Sequence, residues 1–319
     1  MIQINQLVPL NLVEEKNHFF ADQTYNPQFL YEENQIGQSL TEYGLPDHHL
    51  TGLAEKIVKK AYFGRNEAEL KALQGEKCSQ NQVESTAKAF LKLHHLEERF
   101  SILFSQSFVS RAAITTNTIK FRLPIQYRQE GLIGAIYHEI GTHALRRINY
   151  EQQPWFKKKK QYGFGSYLET EEGLATIHSL LAKTFPIAVN TALLYLTSSF
   201  AQTHSFAETY HMLGKYMQDQ ERRWGYVFRQ KRGLTDTAKP GGFTKDLLYF
   251  SGLAKVYRWL KNHQFDLTKL YYGKLSLADV PKAEQLNPDF QPLLPSFFVS
   301  SPVKYAKKIQ AIGELNLLD

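Results

Sequence analysis

The chain has 319 residues, of which 43% are hydrophobic, so it can bury a substantial core and is long enough for about two domains. No run approaches the roughly 20 apolar residues of a membrane-spanning helix. The first residues lack a basic leader before an apolar stretch, so we also expect no signal peptide. The net charge of +7 favours an acidic partner. We do not expect this partner to be nucleic acid, because zinc-finger spacings, RRM signatures and GxGxxG loops are absent from the sequence.

Cysteine usage limits the kinds of site that the chain can build. Its single cysteine, Cys78, excludes an internal disulfide and favours a reducing compartment, which we take to be the cytoplasm. Any metal site must therefore come mainly from His, Asp and Glu side chains.

The predicted elements are mostly helices. Residues 1–50 contain three prolines and predict an irregular lead-in. Two short segments rich in Ile, Phe and Thr, SILFSQSFVS and ITTNTIKFRLP, predict strands. Apolar residues at helical spacing predict a buried helix over 129–149, and another helix begins near Glu169. Further helices are predicted at about 50–75, 83–100, 187–199, 204–230, 243–262 and 303–314, with a proline-rich connection at 280–302. This pattern predicts an α+β fold, mainly α, in which a helical bundle accompanies a small β-sheet.

Residues 138–143 read HEIGTH, one residue longer than the H-E-x-x-H pattern of zinc peptidases. On a regular helix His143 would lie about 140° around the axis from His138, and the two rings would face apart. A π-bulge absorbs one residue and would bring both rings to one face. Gly141 lies between them, and its small size and permissive backbone would ease such a bulge. The motif therefore predicts two metal ligands on a locally distorted helix, although three such residues also occur together by chance.

A catalytic zinc site needs a third protein ligand and an open position. Glu139, beside the histidines, has the chemistry of a general base that takes a proton from water. The start of the next helix offers Glu169, Glu171 and Glu172 as the third ligand. Glu169 and Glu172 share a face, and Glu171 points about 100° away from Glu172. The spacing alone leaves this choice open.

Three ordered blocks resemble the family of microtubule-associated tyrosine carboxypeptidases and bacterial QEGLA-motif proteins. They are HEIGTHALRRIN with QQPW, then TEEGLA, then RQKRGLTDTAKPGGFTKDLLYFSG, and they cover about 105–262. The resemblance implies a zinc metallopeptidase holding one Zn²⁺ per chain, with His138 and His143 as ligands and Glu139 as the general base. Because the family motif retains the glutamate next to the glycine, the resemblance implies Glu172 as the third ligand. Glu171 would then lie behind the ligands or face solvent.

The same resemblance implies an activity. It implies a metallocarboxypeptidase that uses a zinc-activated water to remove a C-terminal aromatic residue, such as the tyrosine of α-tubulin. The order of the predicted elements separately indicates a boundary near residue 103, between an N-terminal accessory region at 1–103 and a catalytic domain at 104–319, which the resemblance implies to be a zinc metallopeptidase. EEGLA in place of QEGLA favours the eukaryotic-type branch. The long N-terminal extension of microtubule-bound members is absent, so we expect little beyond the catalytic module. The alternatives are a zinc peptidase or amidase with another substrate and a non-catalytic, metal-stabilised regulatory protein.

A carboxypeptidase must hold a free carboxylate, for which the forked guanidinium of arginine is well suited. The third block offers Arg232, which is our first choice, together with Arg229 and Lys245. Tyr249 lies four residues after Lys245, on the same predicted helical face, and is a candidate donor to the oxyanion.

Two further segments are candidates for contact with a substrate tail. The lysine run at 157–160 is either a solvated loop or a docking patch for an acidic tail such as that of α-tubulin. The ITTNTIKFRLP strand is a candidate edge to which a tail could add as a further strand. Four other histidines have no partner pattern and are expected at the surface or as satisfied core residues: His94, His95, His178 and His204.

Overall fold

The computed structural model describes residues 4–32 and 40–319, and it confirms the α+β class with a predominance of helix. The strands are β1 (Ser101–Ser105), β2 (Ala112–Ile114) and β3 (Thr118–Arg122). The α-helices are α1 (Leu12–Ala21), α2 (His48–Tyr62), α3 (Glu67–Ala72), α4 (Gln80–Lys92), α5 (Gln129–His138), α6 (Leu145–Glu151), α7 (Leu168–Leu180), α8 (Val189–Ala201), α9 (Phe206–Leu213), α10 (Gln220–Lys231), α11 (Leu247–Asn262), α12 (Val280–Leu286), α13 (Ser296–Val299) and α14 (Pro302–Leu315).

The chain packs into two compact units, each built from two separate segments. The first unit combines Met1–Glu67 with Ala188–Phe250, and the second combines Ala68–Ile187 with Ser251–Asp319. The predicted boundary near residue 103 concerns a division between accessory and catalytic roles. Packing does not test such a division, so the boundary stays a prediction.

The first unit has an aromatic core. The ring of Phe19 in α1 packs against Phe206 and Tyr210 of α9 and Trp224 of α10, with ring centroids 4.8–5.1 Å from its own. Beside this cluster α2 packs along α8. Burial of several large rings in one place contributes strongly to the stability of such a unit, because each ring removes a large apolar area from water.

The second unit contains the sheet. Strand β3 lies in the centre, parallel to β1 and antiparallel to β2. Alternate side chains of β3, Ile119 and Phe121, are fully buried, as expected for a strand covered on one face. The segment ITTNTIKFRLP contains the end of β2, a turn and the whole of β3. The expectation that its main strand offers an edge is therefore wrong, and the edge strand on that side is the short β2.

Several predicted helices are interrupted. The segment 204–230 forms two helices, because Gly214 follows the end of α9 and Asp219 caps α10 by accepting a hydrogen bond from the Arg222 amide. The segment 50–75 likewise divides into α2 and α3. The helix predicted over 83–100 ends at Lys92.

Other boundaries also differ from the predictions. The lead-in at 1–50 contains α1, and the connection at 280–302 contains α12 and α13. The helix predicted over 243–262 begins only at Leu247, after a 3₁₀ turn at Thr244–Asp246. In the described parts of the chain, no helix has the combined length and apolarity that crossing a bilayer requires.

Candidate metal centre

The HEIGTH segment lies on a widened helical turn in the second unit. Helix α5 ends at His138, a π-helical turn spans Glu139–Ala144, and α6 begins at Leu145. The Leu145 amide bonds the Ile140 carbonyl, five residues back, which is the hydrogen bond that defines a π turn. The predicted bulge is therefore present. Its effect is to bring the His138 and His143 rings together, with centroids 4.8 Å apart and planes at 83°.

Gly141 fits the bulge for a reason of packing. A Cβ at this position would lie 2.8 Å from Cε1 of Phe297, closer than carbon atoms pack. Its backbone is not among the positive-φ glycines of the described residues. Gly141 therefore does not use the left-handed region open to glycine, and its small size is needed for the contact with Phe297.

A carboxylate from α7 completes a cluster of three donors. The Oε2 atom of Glu172 lies 3.8 Å from Nε2 of His138 and 3.8 Å from Nε2 of His143. All three donor atoms lie within 4.8 Å of one another. Ligand atoms of a tetrahedral zinc site with ordinary bond lengths are about 3.3–3.6 Å apart, so the two separations from Glu172 are close to those of such a site, and two imidazoles with a carboxylate are ligands that zinc prefers. The side chains are 12–21% exposed, which leaves a route for solvent and substrate.

The three glutamates of α7 have different environments. Glu171 is only 2% exposed and accepts a 2.9 Å hydrogen bond from Nδ1 of His143, so of its two expected places, behind the ligands or facing solvent, it occupies the first. Glu169 forms an ion pair with Lys255 at 2.7 Å. A buried carboxylate behind a ligating histidine is the usual means of fixing its tautomer. Glu171 thus directs Nε2 of His143 towards the donor cluster.

Two cations, the buried Arg146 and the partly buried Lys274, compensate the charge of Glu171. Arg146 is fully buried and donates to Oε2, while Nζ of Lys274 lies 2.8 Å from Oε1. These contacts hold the pKa of Glu171 well below its usual range, although burial opposes them. Arg146 lies three residues after His143, so helical spacing could have identified it. No motif pointed to Lys274, which lies beyond the three blocks.

The histidines differ in their affinity for protons. Burial and the neighbouring His143 lower the pKa of His138 to about 3, which keeps that ring neutral, as a metal ligand must be. A hydrogen bond to the backbone of Ala175 acts in the opposite direction. Burial also lowers the pKa of His143, but Glu171 and Glu172 outweigh it and raise this pKa above its ordinary value.

The pKa of Glu139 suits a general base that works near neutral pH. Burial raises the pKa of its carboxyl to about 7, although the charges of His143 and Lys274 act in the opposite direction. The backbone N–H of Ile114, at the end of β2, donates a hydrogen bond to it and also lowers the pKa. A carboxylate with a pKa near the working pH can both accept and return a proton.

The glycine of TEEGLA allows two helices to meet closely. A Cβ on Gly173 of α7 would lie 2.2 Å from the backbone carbon of Gly252 in α11. A Cβ on Gly252 would lie 2.1 Å from the carbonyl oxygen of Glu169. Each glycine is therefore required by the backbone of the other helix, and the pair fixes the position of the helix that carries Glu171 and Glu172.

The four predicted substrate-binding residues lie in the first compact unit. The guanidinium of Arg229 donates two hydrogen bonds to the Asp246 carboxylate, at 2.9 and 2.6 Å. Arg232 is 4% exposed, and its Nε has no hydrogen-bond partner among the described residues. A buried guanidinium with an unused donor is suited to a ligand carboxylate, so of the two arginines Arg232 fits the prediction better.

Lys245 and Tyr249 do not share a regular helix. Lys245 lies in the 3₁₀ turn at Thr244–Asp246, whereas Tyr249 lies in the first turn of α11. The predicted helical-face relationship between them is therefore wrong. Their predicted roles in holding substrate stay predictions.

Three lysines of the run are exposed, and the fourth is partly buried. Lys157, Lys158 and Lys160 are exposed. Lys159 instead donates to the carbonyl of Lys274 and lies over the Tyr167 ring, 3.8 Å from its centroid. Burial lowers the pKa of Lys159 to about 8.

A mainly helical α+β fold with a convergent His–His–Glu donor set defines a candidate metal-binding protein of the HExxxH kind. The family model for microtubule-associated tyrosine carboxypeptidases matches residues 23–312. The mouse and human proteins named microtubule-associated tyrosine carboxypeptidase 1 are 34% and 33% identical to the chain, over 98% of it and 68% of their own length. The mouse protein named putative tyrosine carboxypeptidase MATCAP2 is 32% identical over 99% of the chain and 62% of its own length. The chain belongs to the microtubule-associated tyrosine carboxypeptidase family.

Proposed function

We propose that the protein is a zinc-dependent metallocarboxypeptidase that removes a C-terminal aromatic residue, with the tyrosine of an acidic tail such as that of α-tubulin as substrate. The observation that carries the proposal is the convergence of His138, His143 and Glu172 beside a glutamate whose pKa is about 7. The names of the relatives support the reaction and the choice of substrate. We also propose that the protein acts in the cytoplasm, and we expect no membrane or nucleic acid partner.

We assign the zinc to His138, His143 and Glu172, one ion per chain. When bound, it would act as a Lewis acid on the scissile carbonyl and lower the pKa of a water to about 7. Glu139 is the general base: it takes a proton from the attacking water and returns it to the departing amine of the tyrosine. Glu171 keeps His143 in the required tautomer throughout.

Recognition of the substrate carboxylate is assigned to Arg232, whose buried guanidinium has an unused donor. Tyr249 is the proposed donor to the oxyanion, with Lys245 and Arg229 as additional positive charges. The exposed lysines of the 157–160 run are proposed to attract the acidic tail.

The test compares wild type with Glu139→Gln and with a matched change, Glu169→Gln. Metal analysis should find one zinc per chain in all three proteins. Mass spectrometry of an acidic peptide ending in tyrosine should show loss of that residue with wild type and with Glu169→Gln, whose carboxylate pairs with the exposed Lys255. Glu139→Gln should lower the rate at least about 100-fold, since general-base catalysis typically contributes 10²–10⁴-fold.

Three results would count against the proposal. A zinc-free wild type would contradict the ligand assignment, and wild-type activity in Glu139→Gln would contradict the mechanism. Equal cleavage of peptides that differ only in the last residue would contradict the preference for tyrosine. Removal of zinc by a chelator should abolish cleavage, and added zinc should restore it.

A further inference from the structure

The widened turn displaces one hydrogen bond of the helix. In an α-helix the Leu145 amide would bond the carbonyl of Gly141, four residues back. Here that amide donates to the carbonyl of Ile140, five residues back, and to that of Thr142, three residues back. The Gly141 carbonyl, which lies between these two acceptors, has therefore lost its α-helical donor. Gly141 is buried, and a buried carbonyl without a partner is strongly unfavourable.

A side chain from a distant segment supplies the missing donor. The hydroxyl of Tyr271 donates to the Gly141 carbonyl at 2.5 Å. Tyr271 lies in the 3₁₀ turn at Thr268–Tyr271, is fully buried, and belongs to the same compact unit as the bulge. Burial raises the pKa of its phenol, so the hydroxyl keeps the proton that it donates.

A second contact holds the turn from the side of α7. The Thr142 hydroxyl donates to the carbonyl of Tyr137 at 2.9 Å and lies 2.8 Å from Nδ1 of His178. Since this hydroxyl has one proton, His178 must donate from Nδ1, and Tyr305 must donate to its Nε2 across 3.1 Å. The Thr142 side chain is also within hydrogen-bonding reach of Tyr271, so the two contacts on the widened turn are linked. His178 belongs to α7, so the chain of hydrogen bonds connects the widened turn to the helix that carries Glu172.

We infer that Tyr271 is a positioning residue of the metal site: its hydroxyl occupies the carbonyl released by the π turn and so keeps His138 and His143 on one side of the helix. Without that hydroxyl the Leu145 amide can return to Gly141, and a regular helix would separate the two rings by about 140°. The inference deepens the proposed function and rests on it, because it concerns the same metal ligands.

The test is Tyr271→Phe in the full chain, with zinc affinity measured by competition with a chromogenic chelator. We expect the dissociation constant to rise about 10–100-fold, the usual effect of losing a group that orients a ligand. The absorption spectrum of the cobalt(II)-substituted protein should also change, because it reports the geometry of the ligands. Thermal unfolding of the metal-free protein shows whether the variant is folded.

The matched control is Tyr210→Phe. Tyr210 is also fully buried, but its hydroxyl has no hydrogen-bond partner among the described residues, so its removal should leave affinity and spectrum unchanged. A second pair keeps the test informative if Tyr271→Phe does not fold. Thr142→Val, which removes the hydroxyl, should weaken zinc binding, whereas Thr142→Ser, which keeps it, should not.

The outcomes separate the inference from the proposed function. If wild type binds zinc and a folded Tyr271→Phe has the same affinity and cobalt spectrum, the inference is wrong and the proposed function stands. If Tyr271→Phe does not fold, equal zinc affinity of Thr142→Val and Thr142→Ser overturns the inference. If wild type binds no zinc, the proposed function fails, and the inference fails with it.

Discussion

Three positively charged or donor groups meet at the carboxylate of Glu171: the His143 ring, the Arg146 guanidinium and the Lys274 ammonium. All of this occurs at a residue that is 2% exposed. In such a place the ionised form of the carboxylate is held by its partners, and each partner in turn depends on the carboxylate. Glu171 therefore contributes both to the stability of the fold and to the orientation of a proposed ligand.

Replacing Glu171 with Gln should have two measurable effects. It leaves the fully buried Arg146 without its counter-charge, which typically costs about 3–5 kcal/mol. It also replaces the acceptor that fixes the His143 tautomer, so zinc affinity should fall about 10–100-fold. Urea unfolding of the metal-free protein measures the first effect, and chelator competition measures the second.

The comparison for this prediction is Glu169→Gln, which alters a partly exposed ion pair with Lys255. Pairs of this kind contribute about 0–1 kcal/mol, so its unfolding free energy should stay close to that of wild type. Equal destabilisation by the two changes would show that the buried contacts of Glu171 contribute no more to the free energy of unfolding than the exposed ion pair does.

Residues of the site could be predicted from the sequence where they are near one another in the chain. His138, Glu139 and His143 lie within six positions, and helical geometry predicts both their relationship and the bulge between them. The choice of Glu172 came from a motif and agrees with the observed cluster. Tyr271 and Lys274 could not be predicted, because they contact Gly141 and Glu171 only through the fold, across more than a hundred residues.

At the scale of elements, the contact between α7 and α11 depends on two glycines. Gly173 and Gly252 each lie where a Cβ would overlap the backbone of the opposite helix. Close approach of this kind brings α7, with its glutamates, to a defined distance from the rest of the second unit. The motif glycine is therefore explained by helix packing.

Gly173→Ala should force these helices apart. Overpacking of a core typically costs about 1–3 kcal/mol, and here the overlap is with backbone, which cannot rotate away. The zinc dissociation constant should rise as well, since Glu172 is the neighbouring residue. Thermal and urea unfolding measure the stability, and chelator competition measures the binding.

Gly225→Ala is the matched control for the helix glycine. A Cβ at Gly225 in α10 meets no atom within 4 Å, so the substitution should stabilise the protein by about 0.5–1 kcal/mol through helix propensity alone. Destabilisation of similar size at both glycines would contradict the packing explanation.

Helices were predicted correctly for long amphipathic segments, but the turns that interrupt such segments were not predicted. The helices at 129–149 and from Glu169 have strong apolar periodicity, and both are present. The break at 214–219 was missed because the apolar pattern continues across it, although Gly214 and the capping Asp219 are recognisable signals. The parallel pairing of β1 with β3 depends on tertiary contacts that strand patterns do not contain.

At the scale of the whole molecule, the chain carries a net charge of +7, and three of its lysines lie exposed in one short segment, Lys157, Lys158 and Lys160. Positive potential of this kind attracts an acidic peptide before it docks, and salt weakens the attraction. The division into two units, each formed from two segments, could not be predicted, because it depends on contacts between residues far apart in the chain.

Charge should therefore affect the rate of association with substrate. For an acidic peptide ending in tyrosine, kcat/KM should fall about 10-fold or more between low and physiological salt. A neutral peptide of the same length and ending should change little. Replacing Lys157, Lys158 and Lys160 with Gln should reduce the salt dependence for the acidic peptide, and an unchanged salt dependence would remove the lysine run from the proposed docking surface.

The π turn has a consequence for how insertions and deletions affect such a site. Because the turn takes up one residue, the helical phase of α6 relative to α5 is that of a regular helix one residue shorter. Deleting Gly141 would thus give an H-E-x-x-H spacing without rotating the segment that follows. The H-E-x-x-H spacing on a regular helix and the H-E-x-x-x-H spacing on a π turn therefore place the two histidines in the same way. Pattern searches restricted to histidines four apart will overlook the longer spacing. In this chain the longer spacing is accompanied by a buried hydroxyl, that of Tyr271, bonded to the Gly141 carbonyl.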